Sequence, residues 1–246
     1  MSPGPQIAGP QIVDRSEMQR RLNEHLVLDP ATTAVLTIDC HRGHLDPEVA
    51  TQPVAADTAR SVVANVARLL DGARHRGVAV LHVILQNRVL RGGEPEPMRN
   101  PFWRAVEDVH EMLTPGRKST IIGHNLEGSV QTELMPELGP EPGDLVFRTK
   151  RRLSVFRDTD LEHTLRALGI TTVLLVGINT NTCVQCAAFE SCNRDLATVV
   201  ISDCVGSMYG DDLHLFGLQN VARCLGWVLT TDEVLAKLGV HAAAAR

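Results

Sequence analysis

Short runs of β-branched and aliphatic residues recur through this chain with segments of helical period between them, and that alternation constrains the fold more than any other feature. The runs fall at 34–38, 78–85, 145–148, 173–176, 198–201 and 227–230. The intervals are too long for hairpins, so neighbouring runs need crossovers, the signature of repeated βα units around a parallel sheet. Val62, Val63, Val66, Leu69, Leu70 and Ala73 recur at spacings of three and four, which predicts a helix burying one face against that sheet. Helices are likewise predicted over 159–168, 182–194, 213–224 and 231–238. The expected architecture is a single α/β domain, Rossmann-like and doubly wound, with a six-stranded, mainly parallel sheet flanked by helices.

The 246 residues are 43% hydrophobic and 22% charged, enough apolar material for a sizeable core. A net charge of -5 has the wrong sign for a nucleic-acid footprint. No run approaches ~20 apolar residues, and the Met1–Gln6 start lacks a cationic, apolar leader, so neither membrane insertion nor secretion is expected. A chain of this length needs no disulfide scaffold. Its six cysteines (Cys40, Cys183, Cys186, Cys192, Cys204, Cys224) read as reduced thiols of a cytoplasmic protein.

Three segments follow from the pattern: an N-terminal arm and lead-in over 1–30, the α/β domain over 31–240, and a tail over 241–246. The arm carries GPQI twice, at Gly4–Ile7 and Gly9–Ile12, and reads as a tail or as an extended segment lying on a partner subunit. The stretch 87–143, rich in Pro and Gly, is too long for an ordinary βα loop and should carry function or an interface. Phe102 and Trp103 lie together within it.

In doubly wound sheets ligands bind beyond the carboxyl ends of the strands. Three reactive residues fall on that rim: Asp39 after the first run, Lys150 after the third, and Cys183 after the fourth. A thiolate is the reactive form of cysteine, and a helix N-terminus at Cys183 would lower its pKa. A nearby carboxylate could take the thiol proton, and an ammonium would favour the anion. Taken singly, each residue also fits a capping, solvated or packing role. Cys183-Val184-Gln185-Cys186 is a C-x-x-C, the spacing of a redox dithiol, but the thioredoxin-like context is missing.

Gly177-Ile178-Asn179-Thr180-Asn181-Thr182-Cys183-Val184 resembles the G-x-x-T-x-x-C-V nucleophile segment of the isochorismatase-like cysteine hydrolases. That group holds nicotinamidase, N-carbamoylsarcosine amidohydrolase, ureidoacrylate amidohydrolase and biuret hydrolase. The stretch from Lys150 to Leu161 is similar to the family's K-x-x-x-S-x-F-x-x-T-x-L, and Asp39 and Asp203 resemble its strand-end aspartates. The resemblance runs from about Thr33 to Leu238.

It implies a nucleophile at Cys183, a general base at Asp39 and a cationic partner at Lys150. It also implies a cis peptide at Ile178–Asn179 that turns the N–H groups of Asn179 and Cys183 into an oxyanion hole. The implied reaction is cleavage of a C–N bond in a small amide or ureido compound through a Cys thioester, with no cofactor and a homo-oligomer, dimer or tetramer, as the assembly. An isochorismatase-type vinyl ether hydrolase and a non-catalytic member are the alternatives.

Two departures stand out. Where the family commonly has D-x-Q, this chain has Asp39-Cys40-His41, with His44 following, and Arg151 replaces the proline often found after the lysine. No downstream carboxylate and histidine set accompanies His41 and His44, so no metal is expected. Gln86-Asn87 and Gly226-Trp227-Val228 resemble the ureido-hydrolysing members. Asn87, His41, Ser154 and Tyr209 are the candidate substrate contacts.

Overall fold

The computed structural model describes residues 13–97, 100–113, 121 and 123–239. The duplicated GPQI and the alanine-rich tail after 241 lie outside them. Six strands form one sheet: β1 (Thr33–Ile38), β2 (Ala79–Leu85), β3 (Leu145–Lys150), β4 (Thr172–Ile178), β5 (Ala197–Gly206) and β6 (Trp227–Leu229). Their order is β3-β2-β1-β4-β5-β6, and every pair is parallel. Every residue of β1 and β4 is buried, as expected of central strands covered on both faces.

Eight helices are described: α1 (Ser16–Glu24), α2 (Arg42–Leu45), α3 (Ala56–His75), α4 (Pro101–Leu113), α5 (Leu161–Ala167), α6 (Gln185–Cys192), α7 (Asp211–Cys224) and α8 (Thr231–Lys237). The spacing read from Val62 to Ala73 belongs to α3, whose buried face also includes Ala59. It packs with Leu174, Val176, Val199 and Ile201 on one side of the sheet. Phe147, Val155, Leu161, Leu165, Leu175 and Val200 fill the other side. Each fully buried Leu or Val contributes roughly 1.5–3 kcal/mol, so the two-sided core dominates the fold's stability. The start of α8 is fixed by a capping box, in which Thr230 and Glu233 each satisfy the other's backbone N–H.

Three helices were not expected: the single turn of α2, and α1 and α4. α1 falls inside the 1–30 lead-in and lies against β6. The Trp227 Nε1–H donates to Leu22 O at 2.9 Å, and Lys237 Nζ donates to Asn23 O at 2.7 Å and Leu26 O at 2.9 Å. This ammonium serves carbonyls at the helix's C-terminal end, where the macrodipole favours a cation. α4 sits in the long insertion, with Pro101 opening it and the Asn100 side chain accepting the Phe102 N–H at 2.9 Å. The helix expected over 182–194 begins instead as one wide π turn, Thr180–Val184, before α6.

One glycine sets the distance between the two central strands at the rim. Gly177 has φ 118°, and a Cβ there would run into the Ile38 carbonyl oxygen. Only glycine lets the end of β4 pass this close to the end of β1, where Asp39 begins.

Candidate active site

Asp39 leaves β1 with φ 55°, the left-handed region that Asp tolerates better than most residues. The backbone is held there by its N–H donating to Val83 O at 2.9 Å. The turn aims the carboxylate across the strand ends, where it accepts the Leu85 N–H at 2.7 Å and Lys150 Nζ at 2.6 Å. Asp39 and Lys150 are both 0% exposed, so the ion pair is shielded from water and salt.

Lys150 ends β3, and its carbonyl accepts the Gln86 N–H at 3.0 Å. Its Nζ also donates to Cys183 Sγ at 3.3 Å, which sets one ammonium between a carboxylate and a sulfur. Burial works against the charge of Lys150, but the adjacent Asp39, followed by Cys183, holds its pKa above the ordinary lysine value.

Cys183 lies in the π turn after β4. The turn is closed by Thr182 N–H and Val184 N–H, both donating to Asn179 O, at 3.1 and 3.2 Å. The Ile178–Asn179 peptide is cis. The Asn179 Oδ1 accepts the Met208 N–H at 2.9 Å, tying the turn to the end of β5. Burial pushes the Cys183 thiol up to about 12; Lys150 pulls it down, and the Asp39 carboxylate, also a hydrogen-bond partner, pushes it up again. The thiol is therefore protonated at rest. This corrects the expectation of a lowered thiol pKa, because burial, with the Asp39 carboxylate, outweighs the pull of the Lys150 ammonium.

A cavity of about 70 Å³ opens onto Cys183, lined also by His44, Asn87, Trp103, His124, Arg151, Arg152, Asn179, Thr182 and Tyr209. On one wall stand His44 and His124, with His41 buried behind His44. The His41 and His44 rings stack at 5.0 Å, and His44 and His124 lie 5.1 Å apart. The His44 Nδ1–H donates to Gln52 O at 3.0 Å, and His124 Nδ1 shares a 2.6 Å hydrogen bond with Thr51 Oγ1. Burial lowers the pKa of all three below the usual histidine value, and for His41 and His124 a neighbouring imidazole lowers it further. The wall is neutral near pH 7. Among the described residues, no three His, Cys, Asp or Glu side chains are arranged to hold a metal ion.

The isochorismatase domain model matches residues 33–233, most of the chain. The chain belongs to the isochorismatase family. It is 31% identical over 224 residues to a ureidoacrylate amidohydrolase of Methylobacterium radiotolerans, covering 88% of this chain and 83% of that protein. It is 28% identical to the ureidoacrylate amidohydrolase of Agrobacterium fabrum, covering 85% and 91%. The crystal structure of a cysteine hydrolase from Pseudomonas syringae pv. phaseolicola superposes with a TM-score of 0.71 at 22% identity, covering 87% of this chain and 96% of that one. That of N-carbamoylsarcosine amidase from Thermoplasma acidophilum gives 0.59 at 22%, covering 82% and 97%. At such identities these structures establish the shared fold.

In this family member the strand ends bring Asp39, Lys150 and Cys183 together, with Asn179 beside them. Asn87 and Tyr209 line the cavity. His41 does not: its Nδ1 accepts the Gly43 N–H at 3.1 Å, capping α2 behind His44. Ser154 also stands apart, since its hydroxyl donates to Glu190 Oε1 at 2.6 Å and accepts the Phe156 and Arg157 N–H groups. Both side chains are committed to local structure. The sequence reading did not find His124, Thr182, Arg151 or Arg152 as cavity residues. His124 comes from within the insertion, where no periodicity marks it, whereas both arginines directly follow Lys150.

Proposed function

We propose that this chain is a cytoplasmic cysteine amidohydrolase that cleaves a C–N bond of a small ureido, carbamoyl or amide compound and releases ammonia or an amine. The observation that carries this reading is the single ammonium of Lys150, 2.6 Å from the Asp39 carboxylate and 3.3 Å from Cys183 Sγ. A thiol that is protonated at rest needs a base at the moment of attack, and the carboxylate is in place to be that base.

As Sγ bonds to the substrate carbonyl carbon, Asp39 takes the thiol proton. The N–H groups of Asn179 and Cys183 are the proposed donors to the developing oxyanion. Asp39 then returns the proton to the leaving nitrogen, the C–N bond breaks, and an acyl thioester remains on Cys183. Water enters, Asp39 removes its proton, and the hydroxide adds to the thioester. Collapse releases the acid, and the proton restores the thiol. Lys150 stays charged throughout and offsets each negative charge in turn. The small cavity and the ureidoacrylate amidohydrolase relatives support a compact ureido or amide substrate.

Free thiols at all six cysteines fit a reducing compartment. Exposed Phe189 on α6 and Phe216 on α7 support a homo-oligomer, dimer or tetramer, and light scattering on the purified protein would test it.

The deciding experiment is ammonia release by wild type, Cys183→Ala and Cys183→Ser against a panel of ureido, carbamoyl and primary amide compounds. Turnover should vanish in the first variant and leave a trace in the second, and hydroxylamine should trap the wild-type thioester. Near-normal rates in either variant would overturn the scheme.

A further inference from the structure

We propose that His44 is a specificity-determining residue of the site: its Nε2 accepts an N–H of the substrate's leaving nitrogen and holds that nitrogen with its lone pair toward the proton that Asp39 delivers. The proposal rests on the amidohydrolase reading and adds to it a residue outside the set of Asp39, Lys150 and Cys183. His44 is 3% exposed and lines the cavity together with Cys183. It lies close enough to Asp39 and Lys150 for both charges to act on its ring.

The hydrogen bonds of the ring decide what it offers. A backbone carbonyl can only accept, so the 3.0 Å contact between His44 Nδ1 and Gln52 O places the ring proton on Nδ1. In the neutral ring this leaves a lone pair on Nε2. That atom has no hydrogen-bond partner among the described residues, and it is not one of the unpaired polar atoms sealed away from solvent. The open space against this buried ring is the cavity. His124 has no such freedom, since its Nδ1 bonds with Thr51 Oγ1 and its Nε2 accepts from Asn125 Nδ2 at 2.8 Å. The stack of His44 on His41 and the bond to Gln52 fix the direction of the free lone pair before anything binds, which cuts the ordering cost of binding.

The other polar side chains of the cavity do not duplicate this role. The Asn87 amide is committed to His124 O and to Arg152. The Gln52 amide and the Thr182 and Tyr209 hydroxyls can either donate or accept, and a guanidinium only donates. His44 Nε2 only accepts. A carbonyl or carboxylate oxygen against it would set lone pair against lone pair, whereas an amide or ureido NH2 supplies the missing hydrogen. Hydrolysis removes that donor with the ammonia, so the acid product loses a contact that the substrate had. As the C–N bond breaks, the nitrogen takes the proton from Asp39 and becomes a stronger donor, so the bond to His44 tightens toward the transition state. No proton passes to His44.

The test compares propylurea with N-propylacetamide, in which a methyl group of nearly the same size replaces the terminal NH2, for binding to Cys183→Ala by NMR titration. The urea should bind about tenfold more tightly. Adding His44→Phe, which keeps a ring on His41 but has no lone pair, should reduce that preference to within about twofold, and His44→Gln, whose amide oxygen can stand in for Nε2, should keep part of it. With His44 intact, the nitrogen NMR signal of Nε2 should shift as an acceptor's does when the urea is added and stay in place with the acetamide, a readout that needs no folded His44 variant. In the otherwise wild-type enzyme, His44→Phe should lower kcat for a ureido substrate roughly ten- to a hundredfold with KM changed less, a split that misfolding would not produce. A preference or a kcat unchanged in His44→Phe, an Nε2 signal unmoved by the urea, a ring protonated on Nε2, or binding of neither probe would overturn the proposal. If the preference depends on His44 and wild type releases no ammonia from any compound, the N–H acceptor stands and the amidohydrolase reading fails; ammonia release with a preference independent of His44 does the reverse.

Discussion

Replacing Asp39 with Asn separates the acidity of Cys183 from its reactivity. A thiol with a pKa of about 12 is ionised to only about one part in ten thousand near pH 8. Resting thiolate therefore cannot carry the reaction unless a base removes the proton during attack. In Asp39→Asn the amide oxygen can still accept the Leu85 N–H, but the side chain takes no proton and no longer repels a sulfur anion. Lys150 is left with Cys183 as its one acidic neighbour. The thiol pKa should fall, read as thiolate ultraviolet absorbance appearing at lower pH than in wild type, while kcat drops by roughly 10²–10⁴. Removing one member of a buried pair costs about 3–5 kcal/mol when the other charge is left alone. The emerging thiolate offsets part of this, so the expected loss is about 3 kcal/mol, a fall in Tm of roughly 6–12 °C for a chain of this size. Paired thiol titration and ammonia release on the same preparation check both halves. Turnover within tenfold of wild type, or lost turnover with the thiol pKa unmoved or raised, would refute the reasoning.

Acid should destabilise the fold before the carboxylates titrate. His41, His44 and His124 have folded-state pKa values below the ordinary 6.5, so the unfolded chain binds more protons as pH falls through that value. Stability is full above about pH 6.5 and declines below it by up to roughly 1.4 kcal/mol per pH unit for each histidine; Tm measured from pH 7.5 to 5.5 checks this, and a flat profile would contradict it. Gly177→Ala should abolish soluble expression or cost several kcal/mol, because the added methyl meets the Ile38 carbonyl at a φ that alanine resists; denaturant unfolding of any soluble fraction measures the loss.

The sheet was legible because β1 and β4 are buried on both faces and so read as unbroken apolar runs, and α3 because one face alone is buried. α1 was not, since Arg20 and Arg21 pair with Glu17 along its exposed surface and its docking depends on Trp227 and Lys237, some 200 residues away. The three residues around Cys183 were legible because strand ends are fixed by the strands. Depth was not: a sequence places Cys183 near a helix start but does not say how much water remains there, and that decides the direction of its pKa. His41 and Ser154 stand off the cavity lining for a related reason. A polar side chain beside a strand end is as readily used by its own backbone as by a ligand, and here both were.

The separation in sequence between the partners of Lys150 has a kinetic consequence. Asp39 lies 111 residues before it and Cys183 lies 33 after it, on strands that meet only when β2, β1 and β4 are in register. No hairpin or single βα unit contains the set, so a partly folded chain has no weakened version of the site to offer. Contacts of such high order form late, after most of the loop-closure entropy has been lost. Returning turnover during refolding is therefore a clock for the last step of sheet assembly, and a dye that senses only collapse should run ahead of it.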